Sequence, residues 1–217
     1  MLTNFNPETR VTEIEEWKLH IYKQFENTRL SKEEQILSTI GNYFYDNNVE
    51  AILALLRETN SHINTTFGND KKTVLQLAVW SGQLSTVRSL LTIDGIDVNV
   101  ANKYGATPLH YAVVMPVSFY NKLMYSIVKE LVYHSSFDVV QAFSIAKIPI
   151  YYAAIIGAND VVKLLLTQPF LPCYTTSQLA MLFLITYYFN QSFIPELLSM
   201  TQPIVANIQQ FLPGKIH

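Results

Sequence analysis

A run of eleven residues, Asn102-Lys103-Tyr104-Gly105-Ala106-Thr107-Pro108-Leu109-His110-Tyr111-Ala112, constrains this chain more than any other feature, because its pattern comes back. Gly105 suits a tight turn needing positive φ, Thr107 is placed to cap a helix, and Pro108 fits that helix's first turn. Leu109 and Ala112 then point to one side. Thr73-Val74-Leu75-Gln76-Leu77-Ala78 lies 34 residues earlier, and Ile148-Pro149-Ile150-Tyr151-Tyr152-Ala153 lies 41 later. The segments that follow also align: Ala78, Gly82, Val87 and Leu90-Leu91 are matched at identical spacing by Ala153, Gly157, Val162 and Leu165-Leu166. Such a period describes units of two helices that stack on one another, since a single unit cannot bury its own apolar face.

The run Asn102 to Ala112 resembles the ankyrin-repeat signature D-x-x-G-x-T-P-L-H-x-A almost residue for residue. The resemblance implies an all-α ankyrin-repeat solenoid of four to five helix-turn-helix units with helical caps, at about 31–64, 65–99, 100–140, 141–174 and 175–200. At the front, Ile52, Leu55-Leu56 and Asn64 match Val87, Leu90-Leu91 and Asn99, with Ser31-Lys32-Glu33-Glu34 as a capping box. At the back, Leu182, Ile185 and Leu197-Leu198 keep the register, but Phe189 replaces the turn glycine and Pro195 is expected to interrupt the second helix. Terminal units of a solenoid are atypical because each has one neighbour only. Residues 1–30 read as an N-terminal cap: Thr12-Glu13-Ile14-Glu15 is a capping box, and Ile14, Trp17, Ile21 and Phe25 form one stripe of a helix over 12–27. Residues 201–217 read as a C-terminal helix and tail, helical from Pro203 to Leu212 and stopped by Pro213-Gly214. The third unit carries about seven extra residues around Met115-Pro116-Val117-Ser118-Phe119-Tyr120-Asn121. They make either a loop on one face or a longer second helix.

Charge narrows the functional classes. Only 15% of residues are charged and 49% are hydrophobic, against roughly 25% charged in an ordinary soluble protein. The deficit is concentrated: residues 101–217 hold 10 charges against 22 in residues 1–100, and Leu164 to Pro195 holds none. A surface so poor in charge calls for a cover, whether a partner, a second copy or a membrane. The longest apolar stretch, Leu179 to Phe189, is 11 residues, about half of a spanning helix, so no transmembrane span is expected. Net charge −2 offers no basic patch for nucleic acid.

Catalytic chemistry is not legible. The histidines His20, His62, His110, His134 and His217 have no metal-ligand spacing, and in the ankyrin pattern the residue at His110 bonds the neighbouring turn. Cys173 has no basic neighbour to lower its pKa and, being alone, forms no internal disulfide. The seven glycines are spent on turns, leaving no phosphate-cradling loop. Glu15-Glu16 and Glu33-Glu34 sit in first helical turns, where the macrodipole accounts for them. No catalytic residue, cofactor or metal is therefore expected, and the chain reads as a non-enzyme.

Ankyrin proteins usually meet partners with the turn tips and with the two positions before the conserved glycine. Carried onto this sequence, that map gives Trp80 and Ser81 before Gly82, and Ile155 and Ile156 before Gly157. The less regular units give Tyr45 and Asp46, Val114 and Met115, and Tyr187 and Tyr188. Eight of these ten are apolar or aromatic, where the family often has polar residues, so a hydrophobic partner-binding groove is expected, the kind of surface interfaces enrich. Lys103, Tyr104 and Ala106 form one turn tip, with Lys103 and Tyr104 as expected partner contacts, and Phe143, Ser144 and Ile145 form another, whose Phe and Ile would extend the apolar surface. Two rival readings are that the insertion at 115–121 fills the groove, or that a register slip of one puts Ile155 and Ile156 in the core.

The resemblance implies a protein that binds another protein, with self-association as a variant. Alternatives from other classes are a membrane-associated adaptor using the uncharged 164–195 region and an enzyme accessory subunit. Lys outnumbers Arg 11 to 4 and Asn, Ile, Tyr and Phe abound, the usage of an AT-rich genome. Together with ankyrin repeats this resembles secreted effectors of intracellular bacteria such as Legionella and Coxiella, or poxvirus host-range proteins, which engage a host eukaryotic protein. The chain shows no classical signal peptide and no lipidation motif, so the expected location is cytoplasmic or, for an effector, the host cell.

Overall fold

The computed structural model describes residues 32–45, 47–114, 121–138, 149–167 and 170–201. The expected cap over 1–30, the capping box at Ser31, Asp46, Met115 to Tyr120, the tip Phe143 to Ile145 and the tail from Gln202 lie outside the described residues.

Ten α-helices among the described residues form five packed pairs. They are α1 (Lys32–Tyr45) with α2 (Val49–Glu58), α3 (Val74–Trp80) with α4 (Leu84–Leu91), α5 (Pro108–Val114) with α6 (Asn121–Val132), α7 (Pro149–Ile155) with α8 (Asn159–Leu166), and α9 (Thr176–Phe189) with α10 (Ile194–Thr201). First helices stack into one row, α1 on α3 on α5 on α7 on α9, and second helices into another, α2 on α4 on α6 on α8 on α10. The fold is an all-α solenoid. Its strand content among the described residues is one short hairpin ahead of α3, β1 (Thr66–Phe67) with β2 (Lys72–Thr73), paired Thr66 to Thr73 and Phe67 to Lys72.

The core runs along the seam between the rows. Ile40, Leu75, Leu109, Ile150 and Phe183 from the first row meet Ile52, Leu90, Leu131, Leu165 and Leu197 from the second, and all ten are buried. Each such side chain contributes about 1.5–3 kcal/mol by leaving water.

Local chemistry starts and stops these helices. At α3, Gln76 N–H donates to Thr73 Oγ1 (3.2 Å) while Thr73 N–H donates to Gln76 Oε1 (2.9 Å), and Thr175 with Gln178 repeats this reciprocal box at α9. Thr107 works differently from the simple cap expected: its N–H donates to His110 Nδ1 (3.2 Å), and its Oγ1 lies 2.8 Å from the same nitrogen. The imidazole thus takes the glutamine's place. Both first helices that precede a glycine end alike. Gly82 N–H returns to Val79 O and Gln83 N–H to Ala78 O, and Gly157 and Ala158 do the same to Ala154 and Ala153. This closure needs positive φ, found at Gly82 (70°) and Gly157 (74°), and Asn47 (48°) supplies it in the first unit.

Three details of the irregular units differ from, or decide between, the sequence expectations. Pro195 does not interrupt a helix; it sits in the first turn of α10, where its missing N–H costs nothing. Part of the third-unit insertion lengthens the second helix, since α6 has 12 residues where α4 and α8 have 8. At the back, α9 has 14 residues against 7 in α7. Asn190, just past α9, donates from Nδ2 to Asn159 Oδ1 just past Gly157, so the two helices end level and the extra turns of α9 lie at its start.

Neighbouring units are tied by side-chain amides, half-buried at Asn64 and buried at Asn99. Asn64 donates to Gly95 O (2.8 Å) and accepts from Asp97 N–H (2.9 Å). One unit later Asn99 donates to Ser136 O and accepts from Asp138 N–H (2.8 Å), which explains why the sequence carries asparagine at both places.

Candidate functional site

Because α3, α5, α7 and α9 lie side by side, the residues at their C-terminal ends fall along one edge of the solenoid. Tyr45 ends α1 on that edge, and Met115 lies outside the described residues. The open positions are Val114, Ile155 and Ile156, from 40% to 48% exposed, and Tyr188, at 71%. Phe189 joins them at 64%; sequence reasoning assigned it to the turn and so missed it. These five come from three successive units and carry no charge.

Two other expected contacts have a different setting. Trp80 is half-buried and stands edge-on to Tyr111, with ring centroids 5.8 Å apart, so much of its ring is spent between α3 and α5. Tyr187 is half-buried and meets Tyr188 edge-on at 5.5 Å. The identity of the facing residue, Tyr111, decides the fate of Trp80, and the register by itself does not reveal it.

The tip residues form a separate, polar cluster. Lys103 Nζ lies 3.0 Å from Asp70 Oδ1, Lys72 Nζ 3.2 Å from Oδ2, Tyr104 hydroxyl donates to Asp70 Oδ1 (3.3 Å), and Lys103 N–H donates to Asp70 O (3.1 Å). The hydrogen bond from Lys103 above all holds the Asp70 carboxyl below its ordinary value of 3.8. Lys103 and Tyr104 therefore couple the second tip to the third, and the exposed ring of Tyr104 is what remains for an outside contact.

The chemistry of the described residues is sparse. No group of His, Cys, Asp or Glu among them is arranged to hold a metal ion. Shallow concavities among the described residues lie at the start of α8, around Gly157 to Lys163, and between α6 and α8, beside Lys122, Tyr125 and Thr167. Lys163 is engaged there by Glu196 (2.9 Å) and Asp160 (3.7 Å), and Glu196 raises its pKa above the ordinary value. Cys173 is exposed in the 3₁₀ turn Leu171–Cys173. No described helix is long and apolar enough to cross a membrane.

The family model for ankyrin repeats in three copies matches residues 42–121, and that for a single ankyrin repeat matches residues 104–141. These units are ankyrin repeats. No curated protein matches the chain. The pairs α7 with α8 and α9 with α10 lie beyond the matched residues and continue the same stacking. Ankyrin repeats are in general protein–protein interaction modules and not catalysts, which gives the apolar edge its context.

Proposed function

We propose that this chain is a non-enzymatic binding module that takes up an apolar segment of a partner protein along the edge formed by Val114, Ile155, Ile156, Tyr188 and Phe189. The observation that carries this reading is the exposure of five large apolar side chains at or beside the ends of the first helices in three adjacent units. Exposed apolar patches of several hundred Å² on a soluble protein mark interaction sites, and aromatic anchors dominate their energetics. Trp80 adds the part of its ring left open beside Tyr111, and Tyr104 offers its exposed ring at the tip next to Lys103. Lysine-rich, arginine-poor composition like that of secreted effectors supports a eukaryotic host protein as the partner.

The test compares proteins captured from eukaryotic lysate by the wild type, by the edge variant Val114→Asp/Ile155→Asp, and by Lys122→Asp away from the edge. Both positions of the edge variant are exposed at helix ends, so its melting should stay within about 1 kcal/mol of wild type. The same protein should be captured by the wild type and by Lys122→Asp and lost by the edge variant. Equal capture by all three would remove the edge as the binding surface.

A further inference from the structure

Two lysines share one carboxylate at the tips of the second and third units. Lys72 Nζ lies 3.2 Å from Asp70 Oδ2 and Lys103 Nζ lies 3.0 Å from Oδ1, to which the Tyr104 hydroxyl also donates. Two ammoniums against one carboxylate leave a positive charge in excess. The other ion-pair groups formed among the described residues differ: Arg88 has Glu130, and Lys163 has both Asp160 and Glu196. Stability does not account for the second lysine at the tip, because exposed ion pairs add little to folding and two ammoniums beside one carboxylate repel each other. Both stay partly open, Lys72 at 28% and Lys103 at 38%. Each ammonium has three hydrogens. Asp70 takes one from each, and the Tyr104 hydroxyl engages Lys103 as well, which leaves both able to donate again.

The two cations are held in place. Lys103 N–H donates to Asp70 O (3.1 Å), and the Lys72 ammonium stands 5.9 Å from the centre of the Tyr111 ring, whose hydroxyl accepts from Asn102 Nδ2 (2.8 Å). An anion arriving here therefore costs little further side-chain freedom. Tyr111 also joins this charge to the apolar edge. Its ring lies near both Lys72 and Trp80, and Val114 follows one turn later on the same face of α5. From the Lys72 ammonium to Val114 is on the order of 10 Å, or about three residues of extended chain.

We infer that the partner segment seated on the apolar edge carries an Asp or Glu about three residues from its apolar anchor, and that this carboxylate docks between Lys72 and Lys103. The inference rests on the edge as the binding surface and adds the chemistry at its tip end. The single excess charge selects the anion: a carboxylate balances it, whereas a phosphate group brings close to two negative charges and leaves a surplus beside Asp70. Nucleic acid binds through many phosphate contacts, and two lysines supply few.

Selection of a random peptide library displayed on phage against the full-length chain tests this. Wild-type pools should be enriched in apolar residues with Asp or Glu about three positions away. Lys72→Gln/Lys103→Gln should keep the apolar enrichment and lose the acidic one, and a peptide drawn from the wild-type pool should bind it about five-fold more weakly in titration calorimetry. Asp70→Asn raises the excess to two charges and should tighten the same peptide's binding about three-fold at low salt. An ion cluster with a structural role alone would weaken binding in both variants or in neither, which overturns the inference. Circular dichroism checks that each variant is folded, and Lys103→Gln alone is the milder change if the pair disturbs the tip. Apolar enrichment without an acidic residue, or acidic enrichment that survives in the lysine variant, overturns the inference and leaves the edge standing. Acidic enrichment that lacks an apolar component and is lost in the lysine variant keeps the docking at the tip and overturns the edge. No enrichment overturns both. Binding that tightens about ten-fold or more when phosphoserine replaces the acidic residue overturns the carboxylate assignment in favour of a phosphate.

Discussion

At Gln76 a single buried amide serves three backbone groups: its Oε1 accepts from Thr73 N–H, and its Nε2 donates to Val100 O and Ala106 O in the following unit. The equivalent residue in the next unit, His110, accepts from Thr107 through Nδ1. Stripping a buried hydrogen-bond partner leaves the groups opposite it unsatisfied at about 1–3 kcal/mol apiece. Gln76→Leu should therefore cost about 3 kcal/mol or more in a urea melt, and Gln76→His clearly less, since this fold already uses an imidazole at that place. A leucine variant as stable as wild type would mean that the amide bonds contribute nothing net. The sequence made a capping threonine legible at Thr107, because threonine before an apolar run has one obvious use, but not the imidazole that answers it. It left the bridging role of Gln76 hidden, since its partners lie 24 and 30 residues away and are backbone atoms that carry no residue signature.

Among elements, the turn between the two helices of a unit was the most legible, because glycine at a fixed spacing reports a backbone conformation directly. Gly82 and Gly157 confirm this with positive φ, and Asn47 shows the nearest substitute. Gly157→Ala meets no crowding, its nearest side-chain atom being Asn190 Nδ2 at 4.0 Å, so the cost is that of the left-handed backbone alone, about 1–2 kcal/mol. Gly157→Asn should lose less, given Asn47, and chemical denaturation of both variants checks the order. The last turn was not legible in the same way. Asn190 closes α9 at φ −154°, through a side-chain bond to Asn159, and no glycine announces it. Helix length was also hidden: seven residues suffice for α7 and fourteen form α9, and the apolar run that lengthens α9 has no period by which to measure it. The candidate edge shows the same division. Alignment located its positions, and exposure then separated Ile155 from Trp80 through neighbours that only the stacked units bring together.

At the scale of the whole molecule, the described helices pack chiefly against those of neighbouring units, so stability is approximately a sum over units and the interfaces between them. Leu90, wholly buried in α4, has neighbours in the units on both sides, since α4 packs against α2 and α6. Leu198 is half-buried in α10, at the back of the described stack. Leu90→Ala should cost about 2–5 kcal/mol, the range for a buried leucine that leaves a cavity, and Leu198→Ala should cost less than half of that because solvent and side chains can close around it. A change in the middle also severs two interfaces at once, so Leu90→Ala should broaden the urea transition or split it as the halves of the stack uncouple, whereas Leu198→Ala should shift the last unit alone. Hydrogen exchange resolves the two cases: Leu90→Ala should raise exchange in α3 to α6, and Leu198→Ala only in α9 and α10. The opposite order of stabilities, or exchange that rises uniformly in both variants, would mean that the chain unfolds as one block and that the nearest-neighbour account of its stability is wrong.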